Sequence, residues 1–399
     1  MRISEGVAEL RFRSHGNQPH HLSVIGVLAC PLFGSSEYLS IREEAPRSCR
    51  KAVFERFGFA EGHSDSENEA GLSIMQEHHP TSETCTSAIQ ERRGVDFIGD
   101  IHGHASQLRT LLGRLGYRTK DGVFTHPERR VVFLGDYVDR GPEIRQTLEI
   151  VRTMVEAGNA TALMGNHEYN AIAWFTPRPD RPKEPCRRHT EIRRRLIAPT
   201  LDALGDELED WLEWMSDLPL WFESTHARAV HASWDPSSVR FLRDLLDGSN
   251  HGLNRSRMQA TCKPGSTASH AVHQLLKGRE IPLPPGVSLR DPEGSARGHI
   301  RARWFESPVG RTYRDYAFTR DDAFPDEPIP AEAVPTDFVP YGASEPPVFV
   351  GHYWMRGDRP SRLAHNVACL DWSVARGGPV VAYRFDGESE IDDAKFVTA

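Results

Sequence analysis

Three short polar segments, each directly after an apolar run, constrain this chain more than any other feature. The segments are Gly99–Gly103 (GDIHG), Gly135–Gly141 (GDYVDRG) and Gly165–Glu168 (GNHE), and the runs before them are Val95–Ile98, Val131–Leu134 and Ala162–Met164. Short apolar runs of this kind are typical of buried strands. Asp100 and Asp136 are 36 residues apart, and Asp136 and Asn166 are 30 apart, near the roughly 30 residues of one βαβ unit. The pattern predicts three parallel strands whose carboxyl ends place Asp, His and Asn side chains at one edge.

A set of carboxylate, amide and imidazole ligands at one sheet edge is what a two-metal hydrolytic site requires. Two divalent ions about 3.5–4 Å apart can clamp a phosphate group and lower the pKa of a water molecule. Mixed oxygen and imidazole ligands suit manganese, iron and zinc better than calcium. An isolated Asp after a strand would more often cap the next helix, but three ordered motifs outweigh that interpretation.

The three motifs resemble the signature of the phosphoprotein phosphatase branch of the calcineurin-like metallophosphoesterases, which reads GDxHG, GDxxDRG and GNHE. That branch also includes the lambda-phage-type phosphatases and the bacterial symmetrical diadenosine tetraphosphate hydrolases. The resemblance is strong over residues 93–175 and continues thinly around His231, His352 and Asp371. It implies an α/β fold in which two β-sheets pack face to face between flanking helices, a four-layer sandwich with metals at the strand ends.

The resemblance also implies a role for each motif residue. The implied metal ligands are Asp100, His102 and His352 for the first ion, Asn166 and His231 for the second, and Asp136 as the bridge. His167 would be the general acid that protonates the leaving oxygen, with Asp139 orienting its imidazole. Arg140 would bind the phosphate oxygens with its planar guanidinium group. A lone histidine such as His231 or His352 can also be a hydrogen-bonded core residue, and Glu168 is interpreted as structural, at a helix start.

One part of the family pattern has no clear counterpart in this chain. Protein phosphatases of the family bind phosphate with a second arginine, which lies between the two late histidines. We take Arg303 as the candidate substrate-binding residue, and Arg301, Arg311 and Arg356 are its rivals. A solvated, arginine-rich face is an equally good interpretation of any one of them.

Composition excludes several classes of function. A net charge of −8 over 399 residues gives no basic surface for nucleic acid. A mean hydropathy of −0.51, without an apolar run of about 18 residues, predicts no membrane span and no membrane partner. The six cysteines show no CxxC spacing, which favours reduced thiols and a cytoplasmic protein.

The chain divides into two parts by pattern. Residues 91–399 are predicted to form the metallophosphoesterase domain, with a long insertion at about 236–347 that crosses the mouth of the site. Residues 1–90 lack a helical or strand period, which predicts a disordered extension or a start that has been assigned too early. The run that ends at Cys30 resembles a lipoprotein signal, but its leader is long and contains Glu5 and Glu9.

If translation begins at Met75, a chain that starts there is expected to keep the full hydrolytic activity of the longer one, because all the motifs follow it. A comparison of kcat/KM for the two purified chains checks this. A truncated chain that is equally soluble but has lost its hydrolytic activity would contradict a translation start at Met75.

Further elements follow from pattern and turn residues. We expect helices at 105–115, 143–156 and 211–218, a hairpin around 120–124, and two C-terminal strands, 367–371 and 379–385, that close the second sheet.

Two divalent metal ions, manganese first and iron or zinc as alternatives, are the expected cofactors. The expected function is a phosphomonoesterase that resembles the serine/threonine phosphatases and acts on a phosphorylated protein. The alternative is hydrolysis of a dinucleoside tetraphosphate, a nucleotide substrate. A third hypothesis is a non-catalytic scaffold. Such a protein would be expected to lack one or more of the metal ligands or the histidine acid, whereas every motif residue is present in this sequence.

Overall fold

The structure, a computed structural model, describes residues 94–290, 296–319, 322–335 and 338–399, together with the backbone of five short strands before residue 73. It contains two compact units, residues 1–85 and 86–399. The first unit holds an antiparallel sheet with its strands in chain order: β1 (Arg2–Ser4), β2 (Val7–Phe12), β3 (His20–Gly26), β4 (Leu39–Ile41) and β5 (Gly71–Leu72). The remainder of residues 1–90, including Cys30, lies outside the described residues, so the disordered extension and the late start both stay predictions.

The second unit is built on a five-stranded sheet that carries the three motifs. Its strands, in spatial order, are β10 (Ala160–Ala162), β9 (Arg129–Phe133), β6 (Gly94–Ile98), β19 (Val381–Phe385) and β20 (Phe396–Thr398). The pairs β6–β9 and β9–β10 are parallel. The three motif strands are therefore neighbours, and their carboxyl ends meet at one edge as predicted.

A four-stranded sheet forms the second layer. It contains, in order, β11 (Trp221–Glu223), β12 (Arg228–Val230), β17 (Val348–Val350) and β18 (Val367–Cys369), of which the last three are parallel. The prediction that residues 379–385 close this sheet is wrong, because β19 pairs antiparallel with β6 in the first sheet. Without this pairing β6 would be an edge strand, with unpaired backbone N–H and C=O groups along one side.

The helices and short strands agree with the sequence pattern. The helices are α1 (Ala105–Arg114), α2 (Ile144–Glu156), α3 (Asn166–Phe175), α4 (Glu191–Leu204), α5 (Leu208–Ser216), α6 (Pro236–Leu245), α7 (Arg255–Cys262), α8 (Thr267–Lys277) and α9 (Tyr313–Tyr316). The predicted hairpin is β7 (Arg118–Lys120) paired with β8 (Val123–Thr125). In the described part of the chain, no helix combines the length and apolarity that crossing a bilayer requires.

The core lies on both faces of the first sheet because its strands are apolar on both sides. Phe97 and Val132 face the second sheet, where the Phe97 ring stacks on Phe349 with centroids 4.1 Å apart. Val131 and Phe133 face the other way and pack in the core that also holds the leucines of α1. Two sheets between helices are thus confirmed as the architecture.

The insertion at 236–347 is tied to this scaffold rather than separate from it. Residues of α6, α7 and α8 lie in the main core, and the Ala232 N–H donates to the Leu275 carbonyl at 2.8 Å. A smaller core lies beyond them, beside the pairs β13 (Glu280–Pro282) with β16 (His299–Arg301) and β14 (Leu289–Arg290) with β15 (Ala296–Arg297).

Candidate dinuclear metal centre

The loops at the strand ends hold several motif residues in the left-handed backbone region. The φ angle is +44° at His102, +56° at Asp136, +64° at Asp139 and +73° at His352. Such backbone costs of order 1–3 kcal/mol per residue and persists only where the surrounding structure imposes it. The tertiary structure, rather than the local conformational preference of each residue, therefore sets the positions of these side chains.

Two motif glycines allow these loops to approach one another. A Cβ atom on Gly165 would lie 2.3 Å from the backbone nitrogen of Asp136, and one on Gly351 would lie 2.1 Å from the Asp100 carboxylate. Any larger residue would separate the loops, which explains why glycine stands beside a polar ligand at each strand end.

Backbone carbonyls fix which ring nitrogen of two histidines faces the centre. His102 Nδ1 lies 2.9 Å from the Val138 carbonyl, and His231 Nδ1 lies 2.8 Å from the Leu134 carbonyl. A nitrogen facing a carbonyl must carry the proton, so the Nε2 atom of each ring presents a lone pair to the centre. These Nε2 atoms lie 3.5 Å and 3.4 Å from the two carboxylate oxygens of Asp136.

The donor atoms fit metal ions. Asp136 belongs to two groups whose ligand atoms all lie within 4.8 Å of one another, one with His102 and His167 and one with His231 and His352. The buried Nε2 atoms of His102 and His352 have no hydrogen-bond partner among the described residues. Burying nitrogen lone pairs beside carboxylates costs free energy unless a cation binds between them.

The remaining two predicted ligands lie at the same centre. The backbone N–H of His352 donates to the Asp100 carboxylate at 3.2 Å, and Asp100 Oδ2 lies 4.0 Å from His102 Nε2. Asn166 Oδ1 lies 3.1 Å from His231 Nε2. The structure therefore brings together all six residues that the family pattern implies.

Burial sets the charge state of the centre without metal. Burial raises the pKa of Asp100 well above its ordinary value, and the nearby carboxylates of Asp371 and Asp136 act in the same direction. Burial also lowers the pKa values of His102 and His352 well below the usual range. Burial also disfavours the charged form of His231, but the Asp136 carboxylate outweighs burial and raises the pKa of His231. A cluster of neutral imidazoles at His102 and His352 beside crowded carboxylates is one that divalent cations stabilise.

His167 is held beside the centre by a chain of hydrogen bonds. Its Nδ1 lies 2.5 Å from Asp139 Oδ2, and the Thr200 hydroxyl donates to Asp139 Oδ1 at 2.5 Å. Burial disfavours the charged imidazolium, but the carboxylates of Asp136 and Asp139 outweigh burial and raise the pKa of His167. The other ring nitrogen, Nε2, lies 3.3 Å from the Arg140 guanidinium. Asp139 thus contacts the His167 ring, as the proposed orienting role requires, whereas the contacts of Thr200 with Asp139 and of Arg140 with His167 were not found from the sequence.

Trp354 is a second residue that no motif indicated. The Arg140 guanidinium carbon lies 4.2 Å from the centroid of the Trp354 ring, a cation–π contact. The backbone N–H of Trp354 donates to Asp371 at 2.7 Å, and that of Ser373 donates to the same carboxylate at 3.0 Å. Asp371, which the sequence placed after a buried run, thus holds the loop whose indole ring orients Arg140.

Glu168 organises the GDxxDRG loop from the start of α3. Its buried carboxylate accepts hydrogen bonds from the backbone N–H groups of Asp136, Tyr137, Val138 and Gly165, at 2.8–3.2 Å. The residue is structural, as expected, but its main partners lie on the neighbouring loop rather than on its own helix.

A cavity of about 790 Å³ opens from the metal centre. Arg303 lines it, but its guanidinium is paired with Glu306 at 2.8 Å. Arg301 also lines it, donates to the His352 carbonyl at 3.3 Å, and has a buried Nε without a hydrogen-bond partner among the described residues. Arg356 lies on the same wall, whereas Arg311 does not and faces Glu306 at 3.5 Å.

Comparison with known proteins agrees with this geometry. Residues 94–248 match the model of the calcineurin-like phosphoesterase family. The chain carries a calcineurin-like metallophosphoesterase domain. The match covers all three motifs and His231, while His352 and Arg301 lie beyond it and were placed by the tertiary structure.

Curated relatives match a part of this chain. The bis(5'-nucleosyl)-tetraphosphatase PrpE [asymmetrical] of Geobacillus sp. (strain WCH70) is 45% identical over 85 residues, 21% of this chain and 35% of the relative. The protein of the same name from Bacillus subtilis (strain 168) is 42% identical over 73 residues, 18% of this chain and 30% of the relative. The chain thus spans about a third of the length of these relatives.

Solved structures show a weaker likeness. The cold-active protein-tyrosine phosphatase of a Shewanella species is 17% identical with a TM-score of 0.42, covering 92% of this chain and 96% of that one. A protein serine/threonine phosphatase from Saccharomyces cerevisiae is 13% identical with a TM-score of 0.43, covering 77% and 79%.

Proposed function

We propose that this protein hydrolyses phosphate esters with the help of two divalent metal ions. The observation that carries the proposal is the convergence of two buried atoms on the carboxylate of Asp136. These are the Nε2 atoms of His102 and His352, which have no hydrogen-bond partner among the residues that the structure describes. A site assembled for binding protein partners alone would not need lone pairs of this kind beneath the surface.

In the proposed reaction, different residues bind the metal ions, bind the phosphate group and protonate the leaving oxygen. The six ligands would hold the two ions, which would supply Lewis acidity for the hydrolysis. Arg140, oriented by Trp354, binds phosphate oxygens with its planar fork. His167, in its doubly protonated form, gives the proton on Nε2 to the leaving oxygen, while its Nδ1 proton stays hydrogen-bonded to Asp139. We propose manganese as the first ion to test, iron or zinc as alternatives, and a cytoplasmic location.

Arg301 is better supported than Arg303 as the second phosphate-binding arginine. The pairing of Arg303 with Glu306 offsets its charge, whereas Arg301 is anchored to the backbone of a metal ligand. Its buried Nε can still form a hydrogen bond with a substrate oxygen. We therefore propose Arg301 for this role, and Arg303 as part of the cavity wall.

Two substrate classes share this chemistry. A phosphomonoesterase that acts on phosphorylated proteins was the first expectation from the sequence. The names of the curated relatives support the alternative, a dinucleoside tetraphosphate. The size of the cavity also favours a substrate larger than one phosphate group, because a small ester would leave most of that volume to water.

The direct test is hydrolysis by the manganese-loaded protein of p-nitrophenyl phosphate, a phosphoserine peptide and diadenosine tetraphosphate. Turnover of any of them, lost in chelator, supports the proposal, and the preferred one identifies the class. A protein that binds two ions per chain, by elemental analysis, yet turns over none would instead be a scaffold of this fold.

His167→Ala is expected to slow hydrolysis by about 10²–10⁴-fold for alkyl phosphates, because the proton for a poor leaving group is lost. Aryl phosphates with good leaving groups should lose much less, since their oxygen departs without a proton. A plot of log kcat against leaving-group pKa for both proteins measures this. An equal loss for all esters would contradict the assignment of His167 as the acid.

A further inference from the structure

The cavity continues beyond the metal centre and is strongly cationic. Seven basic side chains line it among the described residues, against the two carboxylates of Asp136 and Glu280. These basic residues are Arg140, Arg187, Lys277, Arg297, Arg301, Arg303 and Arg356. Since Arg140 and Arg301 suffice for one phosphate group at the metals, the other charges need a different explanation.

Helix α3 connects the metal centre with the far part of this cavity. Asn166, a predicted metal ligand, begins the helix, and Asn170 lies four residues later on the same face, about 6 Å along the axis. Both line the cavity. The Asn170 side-chain oxygen accepts a hydrogen bond from Arg187 at 2.6 Å. The guanidinium of Arg187 is therefore fixed about one helical turn from the metal end.

The loop that carries Arg187 is itself anchored. The Arg187 backbone N–H donates to the Ala173 carbonyl at 3.0 Å, and that of Cys186 donates to the Thr176 carbonyl at 2.7 Å. Both carbonyls belong to the last turn of α3 or its end. The loop thus folds back on the helix that begins at the metal centre.

Lys277 approaches the same region from the insertion. It is the last residue of α8, and its ammonium lies 3.2 Å from His273 Nε2. Burial first, and then the charge of Arg187, lower the pKa of Lys277 to about 8, while Glu280 acts in the opposite direction. Two cations from different elements therefore lie near each other in one partly enclosed space, an arrangement that an anion between them would stabilise.

We propose that Arg187 and Lys277 form a second anion-binding subsite, which holds a second phosphate group of a substrate whose first phosphate group lies at the metals. The spacing of about one helical turn suits a compact oligophosphate chain better than two separate phosphorylated residues of a protein. The inference deepens the proposed function and rests on it for the position of the first phosphate group.

The test uses two variants, Lys277→Met and Arg187→Met, and two matched controls. Lys263→Met and Arg188→Met remove the same charges from exposed positions outside the cavity. Calorimetry measures the affinity of the full chain for inorganic tripolyphosphate and for inorganic phosphate. In parallel, kcat/KM is measured for diadenosine tetraphosphate and p-nitrophenyl phosphate with manganese, and melting temperatures verify folding.

Each subsite variant is expected to weaken tripolyphosphate binding about tenfold more than phosphate binding, because a charge-assisted hydrogen bond is lost. The ratio of kcat/KM for the dinucleotide to that for the monoester should fall by a similar factor. The controls should match the wild-type protein in both measurements.

Equal losses for both ligands, or none, would overturn the subsite. A doubly phosphorylated peptide is titrated alongside, and a larger loss of affinity for this peptide than for tripolyphosphate would overturn the oligophosphate assignment. If the wild-type protein hydrolyses neither diadenosine tetraphosphate nor p-nitrophenyl phosphate, the proposed function fails. The calorimetric comparison of tripolyphosphate with phosphate still decides whether the subsite exists.

Discussion

Asp136→Asn is expected to lower kcat/KM for any phosphate ester by about a thousandfold or more. The carboxylate lies 3.5 Å from Nε2 of His102 and 3.4 Å from Nε2 of His231, which are assigned to different ions, so both ions would share its charge. Removing several kcal/mol of metal-dependent stabilisation corresponds to a loss of this size, at about 1.4 kcal/mol per tenfold. Elemental analysis should show fewer than two ions per chain.

The fold should survive this substitution, which makes the result interpretable. The Asp136 Oδ1 atom accepts the His167 backbone N–H at 3.0 Å, and an asparagine oxygen can do the same. Asp202→Asn, at an exposed position on α4, is the matched control and should retain wild-type activity and metal content. Retention of most activity by the Asp136 variant would refute the two-metal assignment.

Glu168→Gln is expected to lower the free energy of unfolding by about 3 kcal/mol, because an amide cannot accept all four backbone hydrogen bonds and its NH₂ group faces donors. The thermal midpoint should fall by roughly 4–5 °C for a unit that spans residues 86–399, at about 2.1 cal/mol/K of unfolding entropy per residue. Metal affinity should fall as well, because the loop that carries Asp136 loses its anchor. Calorimetric unfolding and metal titration measure the two effects.

The matched control is Glu213→Gln on α5, where the side chain is exposed. It should unfold within about 0.5 kcal/mol of the wild-type protein, as surface substitutions usually do. If the two variants were equally stable, the backbone contacts of Glu168 would not contribute to loop stability in solution. A stable Glu168 variant with weak metal binding would limit its role to positioning Asp136.

The motif region was predictable because its information is local. Glycine, a ligand and a preceding apolar run lie within a few residues, and the spacing between Asp100, Asp136 and Asn166 matches the βαβ repeat. Short runs such as Val131–Leu134 are apolar throughout, which is the pattern of a strand buried on both faces. The ligand set and the parallel order of the three strands follow from these features, with family resemblance supplying the individual roles.

The partners of Arg140 and the choice among arginines were not predictable in this way. Trp354 lies more than 200 residues after Arg140, and nothing in its local sequence indicates that it stacks on that guanidinium. Arg301 and Arg303 differ by two positions in one basic stretch, yet Arg301 contacts His352 and Arg303 pairs with Glu306. The strand β16 ends at Arg301, so strand alternation does not extend to Arg303, and the fold of the insertion decides which side chain faces the candidate metal centre.

The sequence by itself determined the residue types of the candidate ligands, their order along the chain, and the sheet edge at which the three motifs meet. These are consequences of local patterns and chain spacing. Only the tertiary structure decided that β19 completes the first sheet, that Thr200 and Trp354 hold Asp139 and Arg140, and that Arg187 and Lys277 face one cavity. Such contacts join residues distant along the chain, and their energies depend on packing and burial, which no local pattern specifies.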